Sequence, residues 1–100
     1  MDTDKIVINA FNKYHEVDEI LQEKFNEKQI SEIIKGIRQL SIEEILIFAK
    51  TDFNNLQMRE IRMGFAYGFS IDQIKQYAIP SNTAGMMKDA LDKLIIEKQR

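Results

Sequence analysis

The chain has 100 residues, 44% hydrophobic and 30% charged, with a net charge of −2. That suits one modest core and does not suit a disordered tail, and it supplies no general attraction to nucleic acid or anionic membranes. There is no cysteine, so thiol catalysis, disulfides and cysteine-ligated zinc are excluded, while an acidic amino-terminal MDTDKIVINAF without a signal-peptide core and apolar runs far below the ~20 residues of a membrane span make a soluble cytoplasmic protein the expectation.

Residues 1 to 24 are predicted as a helix from Asp4 to about Lys24. Val7, Ala10, Phe11, Tyr14, Val17 and Leu21 form a near-heptad stripe widened by Ile20, and its spacing suits a partner helix, so a homodimer through this helix is one expectation. His15, the one histidine, lies one turn before Glu19, but the second imidazole of a metal-binding His pair is missing. Glu16, Asp18, Glu19 and Glu23 read first as a solvated face.

Residues 25 to 52 open with FNEKQI, and residues 53 to 80 open with FNNLQM, 28 positions later. Both phrases are helix starts. Asn26 and Asn54 are N-caps, Gln29 and Gln57 stand three residues on where a capping box needs Glu or Gln, and Phe25 with Ile30, like Phe53 with Met58, is placed to staple the first turn. LSIEEI and FSIDQI use the same devices: Ser41 with Glu44 between Leu40 and Ile45, and Ser70 with Gln73 between Phe69 and Ile74.

Aligned with one residue missing from the first copy, Ile33 matches Ile61, Gly36 matches Gly64, Leu40 matches Phe69, Ile45 matches Ile74, Phe48 matches Tyr77 and Ala49 matches Ala78. Each copy reads as a helical hairpin, and the duplication is the strongest organising signal in the chain. Gly36 and Gly64 sit inside helices, where glycine costs about 1 kcal/mol relative to alanine, which suggests a close helix crossing. Gly68 is expected just past the end of the first helix of copy two, with Phe69 covering its last turn. The second helix of that copy, with Ile71, Ile74, Tyr77 and Ala78, is expected to run until Pro80 stops it.

Residues 81 to 100 hold a last helix from about Ala84 to Lys98 with Met87, Ala90, Leu91, Leu94 and Ile95 on one side. A 29-residue step from the second copy puts Thr83 at its cap, making it a decayed half-repeat. The expected fold is thus a single all-α domain of about five helices, with two helical-hairpin repeats between longer flanking helices.

No nucleophile elbow, phosphate loop or cofactor motif is found, so no catalytic, cofactor-binding or metal residue is assigned. Two binding readings compete. Gly64, Gly68 and the apolar anchors Ile74 and Tyr77 have helix-turn-helix spacing, and residues 54 to 78 would then meet DNA through Gln73 and Gln76, with Arg59, Arg62 and Lys75 on phosphates. Against this, the chain is net acidic and the matching helix of copy one offers Glu43 and Glu44. The favoured reading is a protein partner bound by the exposed side of the repeat, through Arg59, Arg62, Met63, Tyr67, Lys75 and Gln76.

QMREIRMGFAYGFSIDQIKQYA resembles a helical repeat of bacterial mobile-element proteins, those of phages and conjugative elements. The match falls on Phe53, Gln57, Met58, Glu60, Ile61, Arg62, Gly64, Phe65, Gly68, Phe69, Tyr77 and Ala78; copy one keeps Phe25, Gln29, Glu32, Ile33, Gly36 and Ala49. The resemblance implies an all-α repeat module of mobile-element origin and carries no activity with it. By analogy with small acidic proteins of such elements, inhibition of a host defence nuclease, in the manner of an anti-CRISPR protein, is a further alternative. Residues 1 to 52 have 11 acids against 7 bases, and Glu16, Asp18, Glu19 and Glu23 would be the acidic surface it uses.

Overall fold

The structure, a computed structural model, describes residues 25 to 100. Within them lie five α-helices and no strand: α1 (Glu27–Ile37), α2 (Ile42–Phe48), α3 (Asn55–Ala66), α4 (Ile71–Lys75) and α5 (Ala84–Gln99). The helix predicted over residues 4 to 24, with its apolar stripe, lies outside the described residues.

The helix starts follow from the capping residues. Asn26 Oδ1 accepts from the Gln29 N–H at 2.8 Å while Gln29 Oε1 accepts from the Asn26 N–H at 2.9 Å. The same reciprocal pair forms at Ser41 and Glu44, at Asn54 and Gln57, and at Ser70 and Gln73. Each box satisfies two backbone donors that a helix start leaves free. At α5 the cap is half made: Thr83 Oγ1 accepts from the Met86 N–H at 3.1 Å, and Met86 has no group to reach back.

Each hairpin closes on matched residues. Ile33 and Ile61, Leu40 and Phe69, Ile45 and Ile74, and Phe48 and Tyr77 are all 5% exposed or less, and all belong to one core. The mid-helix glycines explain how the second helix comes so near the first. A Cβ on Gly36 would lie 2.7 Å from Phe48 Cζ, and one on Gly64 would overlap both Ile74 Cδ1 and the Tyr77 hydroxyl. The two notches receive the same aromatic position of their own hairpins. In copy two that ring also donates, its hydroxyl to the Glu60 carbonyl at 2.8 Å. Burial pushes the Tyr77 hydroxyl well above the ordinary phenol range, and the Glu60 carboxylate adds to the shift, so it stays a donor.

The two turns differ by one residue, and the extra one is Gly68. Its φ is +91°, its N–H donates to the Phe65 carbonyl at 2.9 Å, and the Phe69 N–H donates to the Gly64 carbonyl at 3.3 Å. This is the left-handed helix ending for which glycine has no Cβ penalty. Copy one turns without such a residue: the Gln39 and Leu40 N–H groups both donate to the Gly36 carbonyl. The second helix of copy two is shorter than its apolar spacing predicts. Regular helix ends at Lys75 rather than near Pro80, because Gln76 and Tyr77 tighten onto the carbonyls of Gln73 and Ile74, and Asn82 Nδ2 then holds the Tyr77 carbonyl at 3.1 Å.

The hairpins stack. α1 packs on α3 and α3 on α5, so the first helices form one layer, with α2 and α4 behind it. Two side chains sew the stack at matched places. Gln29, besides serving its capping box, donates Nε2–H to the Phe53 carbonyl at 2.7 Å; Gln57 does the same to the Asn82 carbonyl at 2.7 Å and to the Pro80 carbonyl at 3.1 Å. Phe53 and Asn82 each precede the N-cap of the next helix in the layer, so one amide marks both the start of a unit and its boundary with the following one. In α5 the corresponding position is Met86, 54% exposed, and the notch position is Lys93, also exposed. Neither device of the earlier units is present there.

Candidate interaction surface

On α3, Arg59, Met63 and Tyr67 follow one another at four-residue spacing and therefore share a face. Arg59 and Tyr67 are exposed and Met63 is half-buried. They line one wall of a shallow recess of about 150 Å³ whose other wall is Lys88, Leu91, Asp92 and Ile95 of α5, with Glu60 at its edge. Sequence reasoning assigned none of these α5 residues to the surface. The signal was present: the 29-residue step that places Thr83 also puts Lys88 at the position of Arg59 and Asp92 at that of Met63. Lys88 and Asp92 pair across one turn at 3.2 Å, both half-exposed, an arrangement that contributes little to stability.

Arg62 does not share this face. About 100° around the helix from Met63, it looks toward α1, where its Nε donates to Glu32 Oε2 at 2.9 Å with both side chains only about a tenth exposed. Lys35 stands 3.5 Å from the other Glu32 oxygen. Arg62 is thus a tie between the hairpins. Copy one and α5 have Ile34 and Leu91 at the equivalent position. Arg62→Leu is expected to cost about 3 kcal/mol, because it leaves the largely buried Glu32 carboxylate with only the exposed Lys35 beside it; Arg62→Leu with Glu32→Leu should recover most of it. Urea unfolding of the two variants checks this, and a double variant worse than the single one would contradict it.

Lys75 and Gln76 are exposed at the end of α4, apart from the α3–α5 recess. Gln76 lines a separate recess with Gln73, Tyr77, Ala90, Lys93 and Glu97. A third, of about 330 Å³, lies between the α3–α4 turn and α5, where Lys98 donates to the Tyr67 carbonyl at 3.0 Å and sits 5.2 Å over the Phe69 ring. The six residues predicted as one patch thus fall into three places: Arg59, Met63 and Tyr67 together, Arg62 inside, Lys75 and Gln76 elsewhere. Glu16, Asp18, Glu19 and Glu23, and His15 with them, lie outside the described residues.

Among the described residues no group of three His, Asp or Glu side chains is placed to hold a metal, and no buried side-chain nitrogen or oxygen lacks a hydrogen-bond partner. The α3–α5 recess is smaller than the roughly 300–1,000 Å³ of small-molecule sites; it has room for one or two side chains of a partner. No helix among the described residues is long and apolar enough to cross a membrane. No protein-family model matches the chain, and comparison with curated proteins and with solved structures found no match.

Proposed function

We propose that the chain is a non-catalytic interaction module that binds a protein partner in the cytoplasm through the outer face of its first-helix layer. The observation that carries this is the convergence of Arg59, Met63 and Tyr67 with Lys88, Leu91 and Ile95 around one side-chain-sized recess. An exposed tyrosine and arginine beside a partly covered apolar floor have the composition of interface anchors, and a layer of like helices offers a continuous platform for them. The resemblance of residues 25 to 80 to repeats of phage and conjugative-element proteins supports a mobile-element origin for the module.

Affinity capture from host lysate with the full chain tests this. A partner protein should be retained by the wild type and lost by Tyr67→Ala with Met63→Ala, two changes at positions outside the buried core. Retention by the double variant, or capture of nucleic acid alone, would overturn the reading.

A further inference from the structure

The charges of the described residues lean by layer. On the outward positions of the first helices stand Lys28 and Lys35 of α1, Arg38 just past its end, Arg59 of α3 and Lys88 of α5, all exposed, with Asp92 as the facing carboxylate and Glu60 at the recess edge; Glu27, Asp89 and Glu97 are exposed on the same helices at other positions. These positions recur at the same helical spacing, 28–31–35–38, 56–59–63–66 and 85–88–92–95, so three adjacent helices present them side by side. The second-helix layer and its turns show the reverse, with Glu43, Glu44, Asp52 and Asp72 against Lys50 and Lys75. A chain that is acidic overall thus turns a basic face outward from α1, α3 and α5. Arg59 has no ion pair among the described residues.

The same face carries apolar surface. Leu56 is 55% and Tyr67 49% exposed, and Met63, Leu91 and Ile95 floor the recess between α3 and α5. We propose that this groove takes an amphipathic, acidic helix of a partner protein, apolar side down, with its carboxylates on Arg59 and Lys88. The inference rests on the protein-binding reading above and names the chemistry of the partner. Neighbouring helices lie roughly 8–10 Å apart, so a helix seated over the groove sets its flanking side chains over both walls. Lys28, Lys35 and Arg38 then lie about one Debye length further out, where they steer an approaching acidic segment more than they hold it. One feature favours a peptide helix over a bilayer or a nucleic-acid backbone: the apolar floor of Met63, Leu91 and Ile95 is recessed between two helices, where side chains of a helix fit and neither a flat bilayer nor a row of phosphates finds a matching surface.

The test uses the full chain and a synthetic peptide of about 15 residues, long enough for helix, with leucines at i, i+3, i+4 and i+7 and glutamates between them. Control ligands are the same peptide with lysine for glutamate, duplex DNA, and vesicles containing phosphatidylserine. Amide chemical shifts report where each binds, and fluorescence anisotropy reports how tightly. The glutamate peptide should shift residues 59 to 67 and 88 to 95, and lose about tenfold in affinity, about 1.4 kcal/mol, in Arg59→Glu. The lysine peptide should not bind. Arg59 is exposed, so this variant keeps its fold, and its thermal melt verifies that. No saturable shift with the glutamate peptide, shifts centred elsewhere, equal binding by Arg59→Glu, or stronger binding of DNA or vesicles to the same residues would each overturn the proposal. If lysate capture yields a Tyr67-dependent protein while the peptide fails, the module binds protein but not an acidic helix; if capture yields nothing, the broader reading falls as well.

Discussion

Gln57→Glu should lower the unfolding free energy by about 2–3 kcal/mol at neutral pH, although it conserves shape and keeps the capping box. A glutamate Oε1 can still accept from the Asn54 N–H, but it has no donor for the carbonyls of Pro80 and Asn82, which Gln57 Nε2 meets at 3.1 and 2.7 Å. The residue is 5% exposed, so the lost donor is replaced by a carboxylate facing two carbonyl oxygens. Gln73→Glu is the control. Its box is exposed, Ser41 already works with Glu44 in the other copy, and a change within about 0.5 kcal/mol is expected. The defect should also depend on pH. Burial among acceptors raises the folded pKa of a carboxyl at position 57 above its unfolded value of about 4.3. Protonation then restores a donor, so the stabilising contribution is complete below the unfolded value and lost as pH rises through the folded one. Denaturant unfolding from neutral pH down to about pH 4 should show Gln57→Glu gaining on the wild type. Equal losses at positions 57 and 73, or a pH-independent deficit, would show that the amide is not what joins the units.

Gly64→Ala should destabilise by about 2 kcal/mol even though alanine is the better helix former by about 1 kcal/mol. The new methyl would occupy space held by Ile74 Cδ1 and the Tyr77 hydroxyl. The isoleucine tip can rotate away. The phenol cannot do so cheaply, because its ring is buried and its hydroxyl is bound to the Glu60 carbonyl. Gly36→Ala meets one closely placed atom, Phe48 Cζ at 2.7 Å, and should cost clearly less. Adding Tyr77→Phe to Gly64→Ala removes one of the two obstacles, so the pair should be less damaging than the sum of the single changes. Thermal melts of the four proteins decide it. Simple additivity would mean that the ring is not what excludes the methyl.

The parts of the fold legible in the sequence are those with a local cause. Asn26, Ser41, Asn54 and Ser70 cap helices because a side chain three residues away completes each box, and that geometry is complete within four residues. The apolar pairs from Ile33 and Ile61 to Phe48 and Tyr77 were legible because duplication shows the same burial twice. What depends on contacts across the stack was not. The spacing of α3 marks Arg62 as surface, and only the arrival of α1 shows that Glu32 covers it. The second duty of Gln29 and Gln57 has no local sign, since their carbonyl partners lie 24 and 23 to 25 positions away. The early end of α4 combines a local tightening of Gln76 and Tyr77 onto the carbonyls of Gln73 and Ile74 with Asn82 holding the Tyr77 carbonyl, the second again from outside the helix. On the candidate surface, Arg59, Met63 and Tyr67 were readable from one helix, whereas Lys88, Leu91 and Ile95 complete it from another.

Repetition by stacking has a hazard: the end of the stack resembles its middle, so a second copy could dock there and the docking could repeat without limit. The substitutions at α5 bear on this. A hairpin helix arriving behind α5 would meet the stem and charge of Lys93 where Gly36 and Gly64 leave an opening. The following unit would meet the thioether of Met86 where Gln29 and Gln57 offer an amide. One change falls where the earlier hairpins close on themselves and the other where one unit is joined to the next, so α5 offers a further hairpin neither the notch nor the amide, and addition of a second copy in the same manner is disfavoured by the same two residues that make the third unit look decayed.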